Sequence, residues 1–223
     1  ERLRAQLTLE GLTSIERKQP LPFLPNVIGL ITGKDSDAEK DVLQNARLRW
    51  PEVKFRTIHT LVQGDKAAPE VIAAIQTLDA DPEVDVIIIA RGGGDFQNLL
   101  PFSDETLVRA AAASHTPIVS AIGHEADAPL LDNVADLRAS TPTDAAKRVV
   151  PDVGEEMAKV MDARSRILNR TINFISTEWE RLTAMKSRPV LADGEWIIST
   201  RAEEIVRTVQ RGSDLVDRAL HTA

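Results

Sequence analysis

The chain has 223 residues, of which 34 are acidic and 27 are lysine or arginine, for a formal net charge of −7. That balance argues against a free-standing nucleic-acid-binding domain, which carries a basic face. The absence of cysteine excludes a disulfide scaffold, a thiolate zinc site and a cysteine nucleophile.

Residues 1–25 hold a short helical stretch closed by Gly11, then the proline-marked segment "KQPLPFLP". Glycine after a helix and proline beyond it are stop signals. The opening residues read as mid-helix and no initiator Met is present, so the ends look cut from something longer.

Residues 26–150 alternate strand and helix patterns. "NVIGLITG" and "VDVIIIARGGG" are apolar runs rich in Ile and Val that end in glycine. Such runs suit strands buried on both faces. "VKFRTIHTLVQG" and "TPIVSAIGHE" are two more strand candidates. Helical patterns fall between them, around 36–50, 67–80 and 104–114, with Pro69 in a first helical turn. This alternation predicts a three-layer α/β domain on a parallel sheet. Ligands in such sheets collect beyond the carboxyl ends of the strands. The polar clusters lie at those ends: Thr32–Gly33, Gln63–Gly64, Arg91–Gly94 and Gly123–Glu125.

Residues 151–223 have a different texture. Val153, Met157, Val160, Ile167, Phe174, Leu182 and Met185 recur at helical spacing, with Arg164, Thr171 and Glu178 interrupting the stripe. After "SRPVLADG" a second run follows through Ile198, Ile205, Val209 and Val216. Two heptad-like helices about a Pro/Gly turn predict an antiparallel coiled-coil hairpin. A helix pair packed on the α/β domain is the alternative. Charge is uneven: residues 151–223 carry twelve acidic and eleven basic side chains, so the acidity lies mainly in residues 1–150. No apolar run approaches the roughly 18 residues of a membrane span, and the charged opening "ERLRAQ" is unlike a signal peptide. A cytoplasmic protein with no membrane association is the simplest reading.

Two segments carry candidate chemistry. In "IIIARGGGDFQNLLPFSDE" a buried strand delivers Arg91 to Gly92, Gly93 and Gly94. Consecutive glycines let the backbone close on a ligand and present N–H donors to an anion. The Arg91 guanidinium offers a permanently charged fork for a phosphate. A flexible turn with a structural arginine is the plainer alternative, and no Gly-Lys-Ser/Thr follows to make a nucleotide P-loop. In "SAIGHEADAPLLDNVADLRASTPTDAAKR", His124 follows a strand and a glycine, where it could exchange a proton near neutral pH. Asp127 could orient it. Pro129 is expected to open a helix that carries Asp132 and Asp136 on one face. "TPTD" reads as a helix cap at Thr141. Asp41 sits early in the helix after the first strand, among the surface acids Asp35, Asp37 and Glu39. Asp41, His124, Asp127, Asp132 and Asp136 could also ligate a divalent metal such as Mg, although no tight ligand motif is present.

In this order the segments resemble the exonuclease VII large-subunit family. The resemblance runs from about "PLPFLPNVIGLIT" to "TPTDAAKRVVP" and includes "VQG", "RGGG", "PFSDE", "PIVSAIGHEAD" and "VADLRASTPTDAA". It implies a nuclease that degrades single-stranded DNA from either end into short oligonucleotides. It implies an N-terminal OB-fold, an α/β catalytic domain and a C-terminal helical region that binds several copies of a small helical subunit. On that basis residues 1–25 are a linker from an OB-fold not contained here, 26–150 the catalytic domain and 151–223 a shortened helical region. The family's functional residues fall on Asp41, Arg91 and His124, with the nearby acids Asp127 and Asp132. The resemblance implies no obligatory metal. The chain departs from the family pattern at Asp95, at Gln97–Leu100, in "TGKDSDAEKD" and at Ser140. A binder of a small phosphorylated metabolite and a non-catalytic scaffold are the rival readings. Weak DNA affinity is expected of this chain by itself, because OB-folds supply the basic groove and stacking platforms.

Overall fold

A computed structural model describes residues 2–92, 96–122, 129–188 and 194–221. The chain falls into two compact units, residues 1–158 and 159–223.

The first unit is built on five parallel strands in the order β2-β1-β3-β4-β5. They are β1 (Val27–Thr32), β2 (Lys54–His59), β3 (Val84–Ala90), β4 (Ile118–Ala121) and β5 (Leu137–Arg138). All of β1 is buried, and in β3 only Asp85 is partly exposed. Their unbroken apolar runs follow from being covered on both faces. β2 lies at the edge, and its side chains are half-exposed or exposed. It stops at His59, so the segment 60–64 leaves the sheet rather than extending the strand.

The helices cover both faces, as parallel crossovers require. α1 (Arg2–Leu9), α3 (Ala67–Asp79), α4 (Glu105–Ala112) and the short α5 (Leu131–Val134) contribute to one core, with Ile31, Ile87, Ile89, Ile118 and Phe102 at its centre. α2 (Asp37–Arg49) and α6 (Pro142–Val149) build the opposite core around Ile28, Leu30, Val86 and Ile88. Gly29 in β1 is a close-approach position. A Cβ there would lie 2.8 Å from Leu78 Cδ1 and 3.2 Å from Val84 Cγ1.

The linker is tied to the sheet. Arg109 of α4 grips Glu10 with two nitrogens, at 2.6 and 3.0 Å. Lys18 Nζ donates to the Ala135 carbonyl at 2.9 Å. Asp136 Oδ1 accepts from Gln19 N at 2.6 Å and its Oδ2 from Ile118 N at 2.7 Å. This corrects the expectation for Asp132 and Asp136. α5 is a single turn, and Asp136 lies beyond it, where it secures the start of β4. The chain turns extended after Ala135 because β5 must pair with β4.

The second unit contains most of α7 (Val153–Lys186) and all of α8 (Gly194–His221). No residue of α7 is buried. Large apolar side chains stand exposed along both helices, among them Phe174, Trp179, Ile198 and Val209. Among the described residues, no helix is long and apolar enough to cross a membrane.

Candidate active site

In the order 2-1-3-4-5 the chain reverses direction across the sheet between β1 and β3. The connections that leave the carboxyl ends of those two paired strands therefore run to opposite faces of the sheet and leave a crevice between them. Residues 33–37 follow β1 and Arg91–Gly92 follow β3, so the crevice is walled by two of the polar clusters. The turn after β1 passes through Asp35 at φ 55°, a left-handed conformation that costs a non-glycine residue energy. It is held there by a bond from Asp35 N to Glu39 Oε2 at 2.9 Å. Ser36 then caps α2, its Oγ accepting from Glu39 N at 3.1 Å.

Two clefts open here and share Asp37, Arg91 and Gly92. The larger, about 730 Å³, lies over the ends of β1 and β2, between Gly33, Lys34, Ser36, His59, Thr60 and Gln63. The smaller, about 270 Å³, lies between the N-termini of α2 and α6, with Asp41, Ile122, Ser140, Thr141 and Thr143 in its wall. α6 begins where "TPTD" predicts. Thr141 Oγ1 accepts from Asp144 N and Asp144 Oδ2 accepts from Ser140 N, both at 3.0 Å.

Arg91 is the common element. It is only 7% exposed. Its backbone N donates to Ala121 O at 3.1 Å, which fixes the end of β3 against β4. Its guanidinium makes no hydrogen bond or ion pair with any described residue. Burial pulls its pKa down from the ordinary arginine value. A buried guanidinium with no ion-pair partner among the described residues, lining two clefts, is a candidate anion-binding group.

Asp41 joins Arg91 in the smaller cleft. It is exposed, and its carbonyl accepts from Asn45 Nδ2 at 2.8 Å. Gly92 lies in both clefts. Gly93, Gly94, His124 and Asp127 lie outside the described residues. Asp132 is placed differently from the other candidates. It is buried on the α4–α5 side of the sheet and lines neither cleft. Ser120 Oγ donates to its Oδ1 at 2.5 Å, and Arg138 Nε lies 2.9 Å from its Oδ2. Burial pushes its carboxyl above the ordinary value, against the pull of Ser120 and Arg138. Among the described residues no three His, Asp or Glu side chains converge as a metal-ligand set.

Sequence reasoning missed the wall of the larger cleft formed by Lys34 and His59. His59 Nε2 lies 2.8 Å from Glu39 Oε1. Only the position of Lys34, one residue beyond a glycine-terminated strand, could have flagged it. His59 carries no local signal, because the sheet order that brings β2 beside β1 is not written in its neighbours.

Comparison with known proteins gives the site its context. Residues 12–223 match the family model described as "Exonuclease VII, large subunit". The chain is 66% identical over 220 residues to the exodeoxyribonuclease 7 large subunit of Leifsonia xyli subsp. xyli, covering 99% of this chain and 51% of that protein. It is 65% identical over 220 residues to the protein of the same name from Clavibacter michiganensis subsp. michiganensis, covering 99% and 50%. With the one from Acidothermus cellulolyticus it shares 55% over 223 residues, covering 100% and 54%. The chain thus spans about half the length of the curated relatives it matches. On the strength of this match over nearly its whole length, the chain belongs to the exonuclease VII large-subunit family.

Proposed function

We propose that this chain is the catalytic portion of an exodeoxyribonuclease that hydrolyses phosphodiester bonds of single-stranded DNA from its ends and releases short oligonucleotides. The observation that carries the reading is Arg91: a buried guanidinium, unpaired among the described residues, at the crevice between β1 and β3. The family name of the relatives supports the exonuclease and works against the metabolite-binding and scaffold readings.

The scissile phosphate sits on the Arg91 guanidinium and the Gly92–Gly94 amides. These donors meet the charge that grows on the phosphate oxygens in the transition state. His124 transfers the proton, to the leaving oxygen or from the attacking water, and contributes roughly 10²–10⁴-fold. Asp127 orients His124. Asp41, which shares the smaller cleft with Arg91, positions the water or makes the complementary transfer: it accepts the water proton when His124 protonates the leaving oxygen, and protonates the leaving oxygen when His124 accepts from water. Asp132 supports the sheet through Ser120 and Arg138 rather than touching the phosphate.

The apolar stripes of α7 and α8 are where several copies of a small helical subunit bind, in a cytoplasmic complex. Exposed Phe174, Trp179 and Ile198 support that reading, since an amphipathic helix buries its apolar face against a partner. No obligatory metal is assigned.

The test is digestion of end-labelled single-stranded DNA by the full-length large subunit assembled with its small subunit, with and without chelator. The His124→Ala assembly should lose at least about 100-fold in rate. A His124→Ala assembly that cuts at the normal rate refutes the mechanism. Chelator should leave the wild-type rate unchanged; loss of activity would restore a metal.

A further inference from the structure

The smaller cleft, with Asp41 and Arg91, encloses about 270 Å³, which leaves room for a phosphate and its attacking water. The larger cleft continues from the same Arg91 and Gly92 and is nearly three times as roomy, at about 730 Å³. Its volume falls in the range of sites that enclose small organic ligands. Its polar groups are arranged differently from those around Arg91. Lys34 is exposed, and its ammonium has no described ion-pair partner. Of the two acids in the wall, Asp37 lies 3.5 Å from Lys40, and Glu70 Oε2 accepts from Leu61 N at 2.7 Å. The His59 ring is 41% exposed yet fixed, because Glu39, itself only 14% exposed and tied to Asp35 N, holds its Nε2. Thr60 Oγ1 in the same wall is buried without a hydrogen-bond partner among the described residues. An ammonium with no described ion-pair partner and an oriented aromatic ring beside the cleft-lining Arg91 are the elements of a nucleotide site.

We propose that the larger cleft is a subsite for the nucleotide adjoining the scissile phosphate, with Lys34 on its phosphodiester and the Glu39-held His59 ring stacked on its base. The inference rests on the nuclease reading, since it takes Arg91 as the seat of the scissile phosphate. It makes Lys34 and His59 strand-positioning residues: they place the neighbouring nucleotide so that the phosphate reaches Arg91. The binding is indifferent to sequence, because every base offers a face for stacking.

The experiment measures KM and kcat on a single-stranded oligonucleotide with the full-length large subunit assembled with its small subunit. Lys34→Ala and His59→Ala should each raise KM about tenfold with kcat within about twofold. Lys34→Ala should also flatten the dependence of log KM on log salt by about 0.7, the loss of one phosphate contact on a single strand. Lys34→Arg should restore KM and the salt slope. His59→Phe should restore KM, because it keeps the stacking face without the bond to Glu39. Unchanged KM and salt slope in both alanine variants, in an assembly whose Arg91→Ala form is inactive, would overturn the subsite and leave the nuclease reading standing. An Arg91→Ala assembly that cuts normally would overturn both. A rise in KM for His59→Ala that His59→Phe fails to rescue would overturn the stacking role.

Discussion

A guanidinium held at 7% exposure without a described counter-charge destabilises the fold that contains it. Arg91 should therefore trade stability for ligand binding, as active-site groups do. Arg91→Met keeps most of the apolar stem volume and removes the charge. Leaving a buried polar group unsatisfied costs about 1–3 kcal/mol, and more for a charged one. The part of Arg91 that faces the clefts recovers some of this in water, so about 1 kcal/mol is the expected gain for the methionine variant. For a chain of this size that is a rise in Tm of about 2–4 °C. Phosphate should have the opposite selectivity. At a concentration ten times its dissociation constant, inorganic phosphate stabilises a binding protein by about 1.4 kcal/mol, which raises Tm by a few degrees more. Wild-type protein should show this shift and Arg91→Met should not. Scanning calorimetry of both proteins, with and without phosphate, checks the two effects together. A methionine variant more than about 1 kcal/mol less stable than wild type would show that Arg91 is a structural residue with a partner. A phosphate shift that survives the substitution would place the anion elsewhere.

Three further outcomes follow from the packing. Asp79 Oδ1 accepts from Thr116 N at 2.7 Å, His115 N at 2.9 Å and Ser114 Oγ at 3.0 Å, and these bonds outweigh burial to hold its carboxyl below the ordinary value. Its contribution is present above the unfolded value of 3.8 and is lost as pH falls through the folded value. Asp79→Asn should cost about 1–3 kcal/mol at neutral pH in denaturant titration, with the gap to wild type closing below about pH 4. For Asp132 the sign reverses, because burial raises its folded value. Its contribution is full below 3.8 and is lost as pH rises through the raised value. The stability of wild type minus Asp132→Asn should therefore fall as pH rises from 3.8 through the raised value; a difference that grows over that rise would contradict the assignment. Gly29→Ala sets a methyl 2.8 Å from Leu78 Cδ1 and 3.2 Å from Val84 Cγ1, so buried side chains must shift to admit it. A loss of about 1–3 kcal/mol in denaturant titration is expected there.

Much of the fold was legible because its central strands are covered on both faces. β1 and β3 had to be apolar throughout, and their runs stand out from the charged segments around them. The cap at Thr141 was legible because the proline and acid that follow it act locally. β5 was not, because two residues carry no periodicity and their pairing is decided by β4. The same shortness hid the end of α5 and led Asp136 to be read as a helix-face acid rather than as the clamp on β4. In the site, the place of Arg91 at a cleft was legible because it follows a buried strand and precedes three glycines. The neighbourhood of Asp41 with Arg91 was not, since it depends on which strands adjoin at the crevice. His59 was hidden for the same reason: its partner Glu39 is twenty residues away on another element.

The central claim is that Arg91 seats the scissile phosphate of a single DNA strand. The most direct measurement is the rate of oligonucleotide release from end-labelled single-stranded DNA by the assembled full-length complex, wild type against Arg91→Ala. Wild type should release short products, and the variant should lose at least about 100-fold in kcat. A variant that releases products within a few-fold of the wild-type rate would contradict that claim.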